Sequence, residues 1–161
     1  MKLDLEKILK ELKPYRERKA VVDPERAAIL VIDLQNYFKQ IAQPVLGNIL
    51  KVIQSCRKTN VPIIFTQHGH TDPPSDGGAL EKWWGELIIA GSEDWKFIPG
   101  MTVDPGDIVL PKKRYSAFFE TDLDERLRSR GIKDLIISGV MTNLCCETTA
   151  RDAFMRDYRV F

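Results

Sequence analysis

Three side chains in this sequence have the types needed to activate a sulfur nucleophile: Asp33, Lys112 and Cys145. Each stands at the end of an apolar run. Asp33 closes "AAILVID", residues 27 to 33, and Lys112 closes "DIVLPK", residues 107 to 112. Cys145 comes a few positions after "KDLIISGV", residues 133 to 140. A carboxylate can take the proton of a thiol, an ammonium can stabilise the thiolate, and the thiolate attacks acyl carbon. Taken singly, each residue also has an ordinary reading. Asp33 could cap a turn, Lys112 could be a solvated charge of "KKR", and Cys145 could be a small core residue.

The cysteines are Cys56, Cys145 and Cys146. An odd, small number is not a disulfide framework, and adjacent cysteines lack the C-x-x-C spacing of redox motifs. Helical spacing aligns Cys146 with Ala150, Ala153 and Phe154, a stripe expected to pack on a sheet. Cys145 then lies in the first turn, where a helix N-terminus and a nearby lysine favour the thiolate. A one-residue shift in the helix start exchanges the two cysteines.

The elements that must position these groups are read from hydrophobic periodicity. Continuous apolar runs at 27–33, 61–67, 107–112 and 133–140 fit strands buried on both faces of a parallel sheet. Helices are predicted over 3–13, with Leu3, Leu5, Ile8, Leu9 and Leu12 on one face and Pro14 as the stop. Further helices are predicted over 44–58, over "LDERLRSR" before Gly131, and from Cys145 onward. "YRVF" opens another strand. Residues 69 to 106 lose periodicity and read as a long, partly helical excursion rich in Gly, Pro and Trp. Strands alternating with helices predict an α/β fold, a three-layer αβα sandwich around a mostly parallel, doubly wound sheet. No repeat or second domain is evident, so residues 1–161 are expected to form one domain. In such sheets ligands bind at the carboxyl ends of the strands, where Asp33, Gln67, His68, Lys112 and Cys145 all fall.

Bulk composition narrows the function classes. The 161 residues carry 24 basic and 23 acidic side chains, net charge +1. That balance gives no electrostatic reason to bind nucleic acid or an anionic membrane. No apolar run approaches the ~20 residues of a membrane helix, and the charged N-terminus has no signal-peptide core. A cytoplasmic location is expected.

Three blocks resemble the isochorismatase-like cysteine hydrolases, which include nicotinamidases, N-carbamoylsarcosine amidohydrolases and ureidoacrylate amidohydrolases. They are "AAILVIDLQNYF", "PGDIVLPKKRYSAFFETDLDERLRSRGI" and "LIISGVMTNLCCETTARDAF". The resemblance implies a Cys-Asp-Lys triad of Cys145, Asp33 and Lys112, with Cys146 at a core position. It implies a cis peptide between Val140 and Met141, and an oxyanion hole from the backbone N–H groups of Met141 and Cys145. The reaction implied is hydrolysis of a small amide or ureido substrate through a thioester. Substrate-binding side chains are expected at Phe38, Gln67, His68, Tyr115 and Thr142, with Trp83 and Trp84 lining either the pocket or a subunit interface. Family members are commonly oligomers, so a homo-oligomer, dimer or tetramer, is expected. Relatives continue past the strand that Arg159, Val160 and Phe161 begin, so Phe161 is expected to mark a truncated C-terminus.

The sequence departs from part of that family. Nicotinamidases carry a metal-binding Asp-x-His element that is missing here, and His68 and His70 are the only histidines. No metal and no cofactor are therefore expected, which weighs against nicotinamidase itself. Members that cleave the vinyl ether of isochorismate usually have glycine where this chain has Cys145, so the thiol favours C–N hydrolysis. The alternatives are an isochorismatase-type vinyl-ether hydrolase, a non-catalytic interaction subunit, and a redox role for the adjacent cysteines.

Overall fold

The computed structural model describes residues 4–16 and 20–161. Five strands form one sheet: β1 (Ala27–Ile32), β2 (Ile63–His68), β3 (Ile108–Lys112), β4 (Asp134–Gly139) and β5 (Arg159–Val160). Their spatial order is β3-β2-β1-β4-β5, and all four pairings are parallel. The sheet is thus wholly parallel where the sequence predicts a mostly parallel one.

The continuous apolar run of β1 comes from its position. Ala27, Ile29 and Val31 face α2 (Lys39–Lys58), packing with Ile49, Ile53 and Cys56. Ala28, Leu30 and Ile32 face the other layer, with Leu123 and Leu127 of α5 (Leu123–Ser129) and Ala153 of α6 (Glu147–Met155). Successive side chains point to opposite faces, and both faces are covered, so neither parity can be polar. The chain runs outward from β1 through β2 to β3, then returns to lay β4 against the other side of β1. The carboxyl ends of β1 and β4 therefore diverge into a crevice, the place where open parallel sheets bind ligands.

Several boundaries differ from the periodicity reading. Helix α1 (Leu5–Arg16) runs two residues past Pro14, where the sequence predicts its stop. Leu3, placed in that helix by its spacing, lies outside the described residues. Helix α2 starts at Lys39 rather than 44 and carries Pro44 inside it. The excursion contains two short helices, α3 (Pro73–Asp76) and α4 (Ala79–Trp84).

The stretch after β4 differs most. Residues Thr142–Cys146 form a wide turn of π type before α6 begins. The face of α6 that meets the sheet is centred on Thr149 and Ala153, offset from the predicted stripe. Ala153 is buried, but Phe154 is 71% exposed and does not pack on the sheet. No helix among the described residues is long and apolar enough to cross a membrane.

Candidate active site

The crevice is built from strand ends. At the end of β1 the chain turns sharply at Asp33, whose φ of 49° is uncommon for a residue with a side chain. Two interactions hold it there. The Asp33 N–H donates to Thr66 Oγ1 at 3.0 Å, and that hydroxyl donates to Asp33 Oδ1 at 2.5 Å. Gln35 adds a clasp: its amide nitrogen donates to the carbonyls of His68 and Trp95, and its oxygen accepts from His68 N–H at 2.8 Å. The ends of β1 and β2 are thereby fixed to each other.

Lys112 ends β3, in register with His68. Its ammonium has three neighbours for three N–H bonds: Asp33 Oδ2 at 2.8 Å, the Arg114 carbonyl at 2.9 Å and Cys145 Sγ at 3.4 Å. The Lys112 and Asp33 side chains are both fully buried. Beyond this ammonium contact Asp33 Oδ2 has no partner, so it keeps lone-pair capacity for a proton. The nucleophile block is equally constrained. Gly139, at φ 129°, lies so close to β1 that a Cβ there would sit 2.2 Å from the Ile32 carbonyl oxygen. Only glycine fits. The Val140–Met141 peptide is cis, and the wide turn then carries Cys145 over Lys112. The turn after β3 is locked to α6 by Ser116 Oγ donating to Asp152 at 2.6 Å and Ala117 N–H donating to Thr149 Oγ1 at 3.0 Å.

Electrostatics correct one expectation. By position alone, a helix end and a nearby lysine favour the Cys145 thiolate. Instead burial, reinforced by the Asp33 charge, pushes the Cys145 thiol well above the ordinary thiol range, and Lys112 only partly opposes this. That direction favours the protonated sulfur. Burial also works against the charge of Lys112, but Asp33 and Cys145 outweigh it and hold the ammonium above its ordinary value. Burial, then the Lys112 charge, brings His68 down to about 4, so its imidazole is neutral near pH 7.

Above the sulfur lies a cavity of about 240 Å³, at the small end for ligand sites. Of the expected substrate-binding residues, Phe38, His68 and Tyr115 line it, as do Met141 and Cys145. Gln67 does not; it is buried and donates to the Trp95 carbonyl at 3.1 Å. Thr142 is exposed and faces a neighbouring cleft, which Cys146 also lines. Trp84 joins the cavity wall and donates from Nε1 to Tyr115 Oη at 2.7 Å, whereas Trp83 points to solvent with 78% exposure. Sequence reasoning missed Thr66, Gln35 and Gly139. The available signals were a hydroxyl and an amide inside buried segments, and a glycine just before the nucleophile turn.

The donors present do not fit a metal centre. His68 and His70 stack edge to face, 5.2 Å apart, and His70 Nδ1 is engaged by Asp76 at 3.0 Å. Among the described residues no group of three or more His, Cys, Asp or Glu side chains is placed to hold an ion.

Comparison with known proteins matches residues 27–161 to the isochorismatase domain. The chain belongs to the isochorismatase family. It is 46% identical over 151 residues to nicotinamidase 3 of Arabidopsis thaliana, covering 91% of this chain and 75% of that protein. It is 34% identical over 175 residues to a ureidoacrylate amidohydrolase of Enterobacter, covering 90% and 76%. Among solved structures it resembles a cysteine hydrolase from Pseudomonas syringae, with TM-score 0.80, 30% identity and coverage of 88% and 72%. It also resembles N-carbamoylsarcosine amidase from Thermoplasma acidophilum, with TM-score 0.76, 30% identity and coverage of 84% and 79%. The isochorismatase-like fold expected from the three sequence blocks is the fold observed.

Proposed function

We propose that this isochorismatase-family chain is a cysteine hydrolase that cleaves the C–N bond of a small amide or ureide through a thioester on Cys145. The observation that carries the reading is the buried contact of Lys112 with both Asp33, at 2.8 Å, and Cys145 Sγ, at 3.4 Å, at the floor of a cavity. Relatives named for amide and ureide hydrolysis support the same bond type.

The chemistry begins from a neutral thiol. When substrate enters, Asp33 takes the Cys145 proton on Oδ2, and the sulfur attacks the carbonyl carbon. Lys112 stays charged and stabilises the thiolate as it forms. The backbone N–H groups of Met141 and Cys145 receive the carbonyl oxygen as it becomes anionic; one such donor is typically worth ~3 kcal/mol of barrier. The proton on Asp33 passes to the leaving nitrogen, the C–N bond breaks, and ammonia or an amine departs. Water then gives a proton to Asp33 and its oxygen to the acyl carbon. The C–S bond breaks, the sulfur regains its proton, and the acid leaves. Because Asp33 and the thiol exchange one proton beside the Lys112 ammonium, the net charge of the three groups stays at zero before and after the transfer.

The test is rapid-quench intact-mass spectrometry with a primary amide substrate, alongside an ammonia assay. An acyl adduct on the Cys145 peptide is expected, and Cys145→Ala should lose about 10⁴-fold or more in kcat, as removal of a covalent nucleophile does elsewhere. Ammonia release that persists in Cys145→Ala would remove the thioester mechanism.

A further inference from the structure

The cavity is lopsided in charge. Its walls are mainly apolar and aromatic, including Phe38, Leu80, Trp84 and Ile88, and no lysine or arginine lines it among the described residues. Lys112 lies beneath the sulfur, committed to Asp33, Cys145 and the Arg114 carbonyl. Arg114 itself is turned away. Its Nη1 donates to the carbonyls of Asp76 and Lys113, and its guanidinium lies over the Phe119 ring, 5.9 Å from the centroid. The one acidic side chain among the lining residues is Glu86, exposed at the rim just after α4.

A substrate carboxylate entering this cavity would lose water without gaining a cation, and it would pass Glu86 on the way in. An uncharged flat group loses little and gains the aromatic faces of Phe38 and Trp84. We propose that Glu86 is a specificity-determining residue that, with the cation-free wall, selects uncharged planar amides and rejects acyl groups bearing a carboxylate. The assignment rests on the reading of this cavity as the hydrolytic site. It also separates the two kinds of relative, since nicotinamide is uncharged and ureidoacrylate is an anion.

The test uses fumaramide and fumaramate, planar molecules of one shape that differ by a carboxamide against a carboxylate. Hydrolysis is monitored by ammonia release on the wild type, Glu86→Gln and Glu86→Lys. Binding of both probes is measured by calorimetry on Cys145→Ala, alone and combined with Glu86→Lys. The wild type should favour fumaramide by about tenfold in kcat/KM, and the preference should weaken with salt, because a rim charge is screened over ~8 Å at physiological ionic strength. Glu86→Gln should narrow the ratio and Glu86→Lys should erase or invert it. Equal use of both probes by the wild type, or a ratio indifferent to Glu86→Lys, overturns the proposal even if hydrolysis proceeds. If neither probe is hydrolysed, the calorimetric ratio and its response to Glu86→Lys decide the charge filter alone, and the hydrolytic reading fails separately.

Discussion

The strand-end cluster and the excursion over residues 69 to 106 meet across one cavity, yet they are held by different means. Asp33 and Lys112 stand at strand ends, Thr66 lies within β2 and Cys145 in the wide turn after β4, and nearly every polar atom has a partner close by. The excursion supplies Leu80, Trp84 and Glu86 from α4 and the turn after it, and it is tied to the reacting side by the Trp84–Tyr115 hydrogen bond and by bonds from Gln35 and Gln67 to Trp95 and from Arg114 to Asp76. The contrast teaches that reaction geometry is fixed by buried groups on the regular scaffold, while selectivity is carried by a partly exposed wall drawn from an irregular segment.

The sharpest way to break this comparison is to remove a charge from each side. Lys112→Met leaves Asp33 buried and unpaired and should cost about 3–5 kcal/mol of stability, read from denaturant unfolding. Its sequence neighbour is the control. Lys113 pairs with Asp76 at 2.9 Å but is 46% exposed, so Lys113→Met should stay within about 0.5 kcal/mol. Equal effects would mean that the buried pair does not hold the strand ends.

Alkaline titration sharpens the same side. Burial raises Cys145 and Cys56 and pushes Cys146 up to about 12, all from an ordinary 9.0. Above pH 9 the unfolded thiols lose protons that the folded ones keep. Stability therefore falls as pH rises, at up to about 1.4 kcal/mol per pH unit for each retained proton. Cys145→Ala should show a shallower fall than the wild type between about pH 9 and 10.5, by thermal or denaturant midpoint. An identical slope would place Cys145 in a wetter setting than its burial indicates.

The smallest effect is expected on the excursion. Trp84→Phe removes one partly exposed hydrogen bond and should cost under about 1 kcal/mol, while raising KM more than it lowers kcat. A fall in kcat with KM unchanged would make the wall part of the reacting geometry.

Legibility in the sequence divides along the same line. The strands announced themselves because a parallel strand covered on both faces must be continuously apolar, and the chemistry stood at its last residue. Asp33 and Lys112 were visible for that reason, while the resemblance of three ordered blocks chose Cys145 over Cys146 and gave the fold. What escaped depends on contacts between distant segments. Thr66 matters only because β2 lies beside β1, and Gln35 only because it spans to His68 and Trp95. The resting state of the Cys145 thiol escaped too, since helix-end position is local but burial and the Asp33 charge come from the assembled core. The placement of Trp84 against Trp83 lay beyond periodicity, which a six-residue helix is too short to express.

The wide turn at Thr142–Cys146 opens two sulfurs that are adjacent along the chain into two separate rooms, Cys145 into the reaction cavity and Cys146 into the cleft beside it. Met141 and Ile41 line both spaces and form the partition between them. A small fluorophore on Cys146 would therefore listen through a wall one side chain thick, hearing a substrate arrive next door without standing in its way.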